Sequence, residues 1–597
     1  MKPASRRKFL TTVPAVVAGA VAGKAYAQGQ GAPGAGAIKP ETVDAAEAIT
    51  GIEFHREDEA AIANGLNNRL RNLQQLRQSE IPVETEPAVM FKPSLPGREP
   101  KGVATPGAPL KHTKPPLSLK RPANLEDVAF WPVAHLAALV ERKLVSSTEL
   151  TEMYLARLKR FQPSLNFYVT LTEDLARRQA ADADREIKAG KYRGPLHGLP
   201  WGAKDLFATR GIRTTWGGEP YVDQIFDYDA TVVERLRDAG AVLAAKLTLG
   251  ALAQGDRWFG GRTNNPWNPQ QGSSGSSAGP GSATAAGCVA FSIGTETRGS
   301  IISPSAANGV VGLRPTYGRV SRFGAMALSN TMDKAGPMCR YVEDAVLVFN
   351  AIYGPDQRDG TVADAPFRWN PDQPFSDIRI AYARAGFEQA AAARGGGPAP
   401  AGAAGGRGGR GGLTPEQAAA QAEERRRMYQ DVLETYRKLG ATLEPVDLPD
   451  LPLAAQIGFI LEVESAASFD ELTRSGDVDL LRTGTSASSW PNTFKTARFT
   501  TAVDYLRAQR GRTVLMRQMA DFMSRFDVLL SAGSDATLGV TNLTGHPAIA
   551  VKCGFQGGMP RILMLTGQLY DEATLCRVAL AYEQATEWKD RHPTLKA

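Results

Sequence analysis

Cysteine and histidine are scarce, with four and six respectively in 597 residues. Cys288, Cys339, Cys553 and Cys576 form no CxxC pair and sit among apolar or Gly/Ala neighbours, which excludes a disulfide-stapled scaffold and predicts buried thiols, with a single disulfide as the alternative. The histidines show no HxxxH or HExxH spacing, so neither a metal nor a cofactor is expected. No apolar run reaches the roughly 20 residues needed to span a bilayer. A large charge of one sign is lacking as well. The formal net charge is +7, and residues 1–27 supply five of those charges through Lys2, Arg6, Arg7, Lys8 and Lys24, with no acid among them. The rest of the chain is therefore close to neutral and carries no electrostatic footprint for nucleic acid.

Those first 27 residues have a basic head, a short apolar stretch over 13–23 and a small-x-small end, Ala25-Tyr26-Ala27. These are the three parts of a cleavable signal peptide. Arg6-Arg7-Lys8-Phe9-Leu10 further resembles a twin-arginine signal, an address for export of folded protein. The mature protein is expected in the periplasm, with no stable membrane span. Residues 28–123 read as an N-terminal extension. Residues 28–40 are Gly/Ala-rich, 41–78 have helical spacing, and 82–122 carry many prolines, which favours an extended strap.

From residue 124 the pattern becomes regular alternation of helix and strand. Ser146-Ser147-Thr148-Glu149 forms a capping box ahead of an amphipathic run over 150–161. Residues 230–239 read as a helix that Gly240 ends, and 241–245 as a buried strand. Such alternation predicts an α/β protein with helices covering a central sheet. Residues 391–412, rich in Gly and Ala with Arg394, Arg407 and Arg410, read as a disordered surface insertion. Helical spacing resumes after it, where Thr414 caps and Pro415 fits the first turn.

Two stretches are not explained by core-building. In Gly198-Leu199-Pro200-Trp201-Gly202-Ala203-Lys204-Asp205 a lysine stands among small and apolar residues, where it must find a partner or lose basicity by desolvation. Taken alone, a snorkelling surface lysine would explain it. Gly272-Ser273-Ser274-Gly275-Ser276-Ser277-Ala278-Gly279 could be a linker, but it leads into residues 283–293, an almost unbroken apolar segment, and then into Gly294-Thr295-Glu296-Thr297-Arg298-Gly299-Ser300. Glycine-flanked serine turns at both ends of a buried segment suit close backbone approach to a ligand.

These blocks resemble, in order, those of the amidase signature family. The resemblance includes Asn265-Pro266-Trp267-Asn268 and Gly312-Leu313-Arg314-Pro315-Thr316-Tyr317-Gly318-Arg319-Val320-Ser321. It continues through Gly336-Pro337-Met338 to Asn542-Leu543-Thr544-Gly545-His546-Pro547-Ala548. It implies one α/β domain over residues 124–590, with a central mixed β-sheet covered by helices on both sides. It also implies a Ser, cis-Ser, Lys triad of Ser300, Ser276 and Lys204. Alignment on Gly287, Gly294 and Gly299 without gaps puts the middle serine at Ser276, with Gly275 and Ser277 in support, and leaves Ser273 and Ser274 outside. In that scheme Ser300 attacks, Ser276 passes its proton to neutral Lys204, and the backbone N–H groups of Thr297, Arg298, Gly299 and Ser300 stabilise the oxyanion. Departures from the family pattern are Glu296 in place of Asp, Arg298 in place of Gly, and Ile302 in place of Arg.

The function implied is hydrolysis of a small carboxylic amide through an acyl-enzyme. An esterase on the same scaffold and a binding protein without turnover are the alternatives. An amidotransferase subunit is a third, disfavoured by export. A homodimer remains open. Asp205 and Asp333 either orient polar groups or cap turns, His197 and His546 are expected to be structural, and specificity is expected from residues 248–258 and 490–505.

Overall fold

The computed structural model describes residues 38–50, 56, 59–76, 89–388, 414–481, 483, 488–533 and 535–595. The expected signal peptide at 1–27 and the insertion at 391–412 lie outside the described residues. The chain divides into two units, residues 1–80 and 81–597. In the first, the helical spacing of 41–78 resolves into two helices, α1 (Pro40–Thr50) and α2 (Glu59–Leu76). The Asn67 side chain holds Ile38 at both ends, accepting its N–H at 3.3 Å and donating to its carbonyl at 2.8 Å.

In the second unit, residues 89–124 run without helix or strand. Prolines remove donors from this strap, and side chains from elsewhere take up its carbonyls. Trp369 Nε1 donates to Lys111 O at 2.8 Å, and Arg142 Nη1 to Pro116 O at 2.8 Å. Helix α3 (Ser147–Leu165) starts at the predicted capping box, with Ser146 Oγ accepting the Glu149 N–H and Glu149 accepting the Ser146 N–H. Helix α4 (Thr231–Asp238) ends before Gly240, whose φ of 81° stops it. The strand that follows, Val242–Leu247, runs two residues further than the apolar pattern suggested because Lys246 is buried with it.

Among the described residues, eleven strands form one mixed sheet. They are β1 (Tyr168–Leu171), β2 (Pro200–Lys204), β3 (Val242–Leu247), β4 (Phe291–Glu296), β5 (Val311–Arg314) and β6 (Lys334–Cys339), followed by β7 (Ile380–Ala383), β8 (Leu443–Val446), β9 (Val528–Ala532), β10 (Ala548–Gln556) and β11 (Met559–Gly567). Their order is β1-β3-β2-β4-β6-β5-β10-β11-β9-β7-β8. The strands β3, β2 and β4 are parallel neighbours, as are β9, β7 and β8, while the centre is antiparallel. Register Trp201↔Phe291 stacks two rings with centroids 6.1 Å apart between β2 and β4. Helices flank the sheet, giving the expected α/β fold. Helix α5 (Ala278–Ala285) is buried along its whole length. All four cysteines are buried free thiols. No described helix is long and apolar enough to cross a membrane.

Candidate active site

Lys204 and Glu296 are the last residues of β2 and β4, so both stand at the carboxyl ends of parallel neighbours, where open α/β sheets leave crevices. Between these strands in sequence, the Gly/Ser turn leads into α5. Its Gly275–Ser276 peptide is cis, as the family resemblance implied. A Cβ on Gly275 would collide with the carbonyl oxygen of Gly255, so only glycine permits this approach of the two chains.

The Lys204 amine is fully buried and surrounded by neutral groups. It donates to Ser276 Oγ at 2.8 Å, to Thr295 Oγ1 at 2.8 Å and to Ser277 Oγ at 3.1 Å. Among the described residues it has no ion pair. Burial pushes its pKa down to about 7, against the opposing pull of the Asp333 and Glu296 carboxylates. Lys246, on the neighbouring strand, makes the contrast clear. Register pairs it with Ala203, so it points to the opposite face of the sheet from Lys204. There it lies 3.1 Å from Asp205 Oδ1, both residues fully buried, while Thr215 donates to the other oxygen. Asp205 therefore serves a structural pair rather than the Lys204 amine.

Ser277 fixes the turn by accepting the Thr295 N–H at 3.1 Å, and its own N–H donates to the Ser300 carbonyl at 3.2 Å. That last bond holds the Ser300 backbone against the cis-serine turn. Ser274, Gly275 and Ser300 line a cavity of about 770 Å³. Glu296 shapes the loop after β4. Its Oε2 accepts the N–H groups of Ile301 and Ile302 at 2.8 and 2.9 Å, and Oε1 accepts from Arg314 and Asn542, each at 2.8 Å. Burial would raise this carboxyl, but the Arg314 and Lys334 cations hold it below its ordinary value. The N–H groups of Thr297, Arg298, Gly299 and Ser300 have no acceptor among the described residues, and all four residues line the cavity. Gly299, at φ 117°, makes the turn that a side chain would strain, whereas Arg298 does not have a positive φ.

Glu296→Ala leaves the fully buried Arg314 guanidinium without its carboxylate and frees two amides. The expected loss is about 3–5 kcal/mol. It is read as a lower urea midpoint at unchanged m-value.

Asp333 accepts from Thr297 Oγ1 at 2.6 Å and from the N–H groups of Leu328 and Ser329, tying the 297 loop to the turn before β6. His546 hydrogen-bonds Thr544 Oγ1 at 2.8 Å and is pushed down to about 3 by burial and the nearby Arg314 charge, so it stays neutral. His197 Nδ1 accepts the Arg193 N–H at 3.1 Å in the loop before β2. Both histidines are structural in this arrangement. Asn265 and Trp267 brace the helix after Ser300, α6 (Ile302–Asn308), by donating to Ala307 O and Asn308 O at 2.7 and 2.8 Å.

Of the two stretches expected to set specificity, Ala253, Gln254, Gly255 and Trp490 line the cavity, whereas Tyr505 hydrogen-bonds buried Glu464 at 2.8 Å. The far wall comes from residues missed in sequence, among them Leu448, Leu451, Leu461, Met519, Phe522 and Leu538. Their only sequence signal is apolar character, which core residues share.

A family model described as Amidase matches residues 149–393. The chain is 32% identical over 508 residues to the A subunit of the glutamyl-tRNA(Gln) amidotransferase of Methylococcus capsulatus, covering 77% of this chain and 98% of that protein. The chain belongs to the amidase signature family. It is accordingly an enzyme of a family that acts on carbon–nitrogen bonds. The corresponding protein from Geobacillus stearothermophilus is 33% identical over 517 residues, covering 78% of this chain and 99% of the relative. Among solved structures, the native peptide amidase of Stenotrophomonas maltophilia superposes with a TM-score of 0.65 at 28% identity, over 79% of this chain and 99% of that one.

Proposed function

We propose that the protein is an amidase that hydrolyses a carboxylic amide through an acyl-enzyme on Ser300. The observation that carries this reading is the Lys204 amine, buried without a carboxylate, poised near neutrality and bonded to Ser276. In the proposed path Ser300 Oγ attacks the carbonyl carbon, its proton moves to Ser276 Oγ, and the Ser276 proton moves to the Lys204 amine. The oxyanion is met by the unpaired N–H groups of residues 297–300, each worth about 10²–10³ in rate in comparable sites. The carbon–nitrogen bond then breaks, the leaving amine takes the proton back through Ser276, and water hydrolyses the Ser300 ester by the same relay. Residues 1–27 direct the protein to the periplasm in this reading, residues 28–123 precede the amidase domain at 124–590, and residues 391–412 form an insertion within it.

A fluorophosphonate probe with peptide mapping is expected to label Ser300 in the wild type and not in Lys204→Ala. A folded protein that releases no ammonia or amine from any simple amide and takes no label overturns the reading in favour of a binding protein. A second reading, as one component of an amidotransferase, is favoured by the names of the relatives in Methylococcus and Geobacillus. Turnover of free amides by the isolated chain separates the two.

A further inference from the structure

Arg298 is the charged residue nearest in sequence to Ser300 on the cavity side, and among the described residues none occupies its guanidinium. It makes no hydrogen bond and no ion pair with any described residue. Yet it is not a solvated surface arginine. It lines the 770 Å³ cavity together with Thr297, Gly299 and Ser300. Burial lowers its pKa from the ordinary value, partly offset by the Glu462 carboxylate, which stands beyond ion-pair distance. Arginine keeps its charge under such a shift. Gly458 stands against it, where a Cβ would lie in van der Waals contact at 3.4 Å from both Nη1 and Nη2.

The acids that line the cavity do not neutralise it. Asp535 accepts the N–H and hydroxyl of Thr537 at the start of its own helix, and Asp450 is exposed at the rim. The guanidinium is half-buried with unused donors beside the cavity, and its planar fork matches a carboxylate with two parallel hydrogen bonds. The remaining wall is mixed, with Gln254, Ser274, Ser303 and Thr537 beside an apolar side of Leu451, Leu461, Trp490 and Phe522. Arg298 and Ser300 are two residues apart, so their Cα atoms are within about 7 Å. A group held by one can belong to the same molecule attacked by the other.

Resting on the amidase reading above, we infer that the substrate is an amide with an apolar body and a carboxylate, and that Arg298 is the residue that selects it by pairing with that carboxylate. Two matched pairs test this: succinamate against butyramide places the charge on the acyl half, and N-hexanoylglycine against N-propylhexanamide places it on the amine half. The wild type is expected to favour the acidic member of at least one pair in kcat/KM. In Arg298→Met the ratio within that pair falls by at least about 30-fold, the size of removing one partner of a desolvated charge pair. Arg298→Lys restores part of it, because the charge returns without the fork. Gly458→Val, which crowds the guanidinium from behind, lowers the same ratio. Taking the ratio cancels any effect of these changes on the backbone donors.

Wild-type indifference within both pairs, or a preference that survives Arg298→Met, overturns the inference. If neutral amides are hydrolysed and Ser300 is labelled but no acidic preference exists, this inference alone falls. If neither labelling nor turnover occurs, the amidase reading falls and takes it along.

Discussion

Ser300→Ala is expected to lower kcat by at least ~10⁴-fold, the scale seen when a nucleophilic serine is removed from an acyl-enzyme path. The same change should move the melting temperature by no more than about 2 °C, because a hydroxyl facing a cavity contributes little to stability. The two readouts together matter. The bond that holds this residue in place runs through its carbonyl to the Ser277 N–H, and that bond survives the substitution. Alanine at 300 therefore leaves the turn as it is and removes only the attacking atom. Mass spectrometry after mixing with substrate should show no acyl adduct. A variant that keeps ordinary turnover would put the chemistry elsewhere in the cavity.

The parts of this molecule that were legible in its sequence are those written in short-range chemistry. The capping box at Ser146 and the Thr414 cap followed by Pro415 each need only a few consecutive residues, and both helices start where those residues say. Gly240 ends a helix because its positive φ is available to glycine at little strain. The approach of Lys204 to Ser276 is different, since the two are separated by 72 positions and by the crossover from β2 to β4. No periodicity carries that pairing, and only the resemblance of ordered blocks suggested it. The order of the eleven strands was illegible for the same reason.

Glu296 marks a further limit. In sequence it stood out as a departure from the family pattern, whereas in the fold it joins two backbone amides, Arg314 and Asn542 in one buried cluster. Its side chain accepts from the two amides after Ser300, while the four before Ile301 have no acceptor among the described residues. The far cavity wall stayed hidden because Leu448, Met519 and Phe522 obey the same apolar rule as any core residue. Whether such a residue borders a cavity is decided by what packs opposite it.

Lys204→Met should remove the relay's base and lower kcat/KM by about 10²–10⁴ from the loss of proton transfer alone. In the wild type, kcat/KM is expected to climb tenfold per pH unit at acid pH and level off above an apparent pKa of about 7, where the amine becomes neutral. The residual activity of the variant should be flat across that range. Stability moves in a direction the geometry also dictates. The folded-state value lies below the ordinary 10.5, so between about 7 and 10.5 the unfolded chain holds a proton that the folded one lacks. Wild-type stability from this group therefore rises with pH across that window, by about 1.4 kcal/mol per unit, and the burial penalty is largest below it. Asp344 and Glu583, both pushed up to about 8 by burial, titrate in the same window in either protein and cancel in the comparison. Thermal melts of the two proteins should show the methionine variant gaining on the wild type at pH 6 to 7 and losing that advantage towards pH 10. A difference that does not change with pH would mean the amine is charged in the folded protein throughout, and a charged amine cannot accept the serine proton.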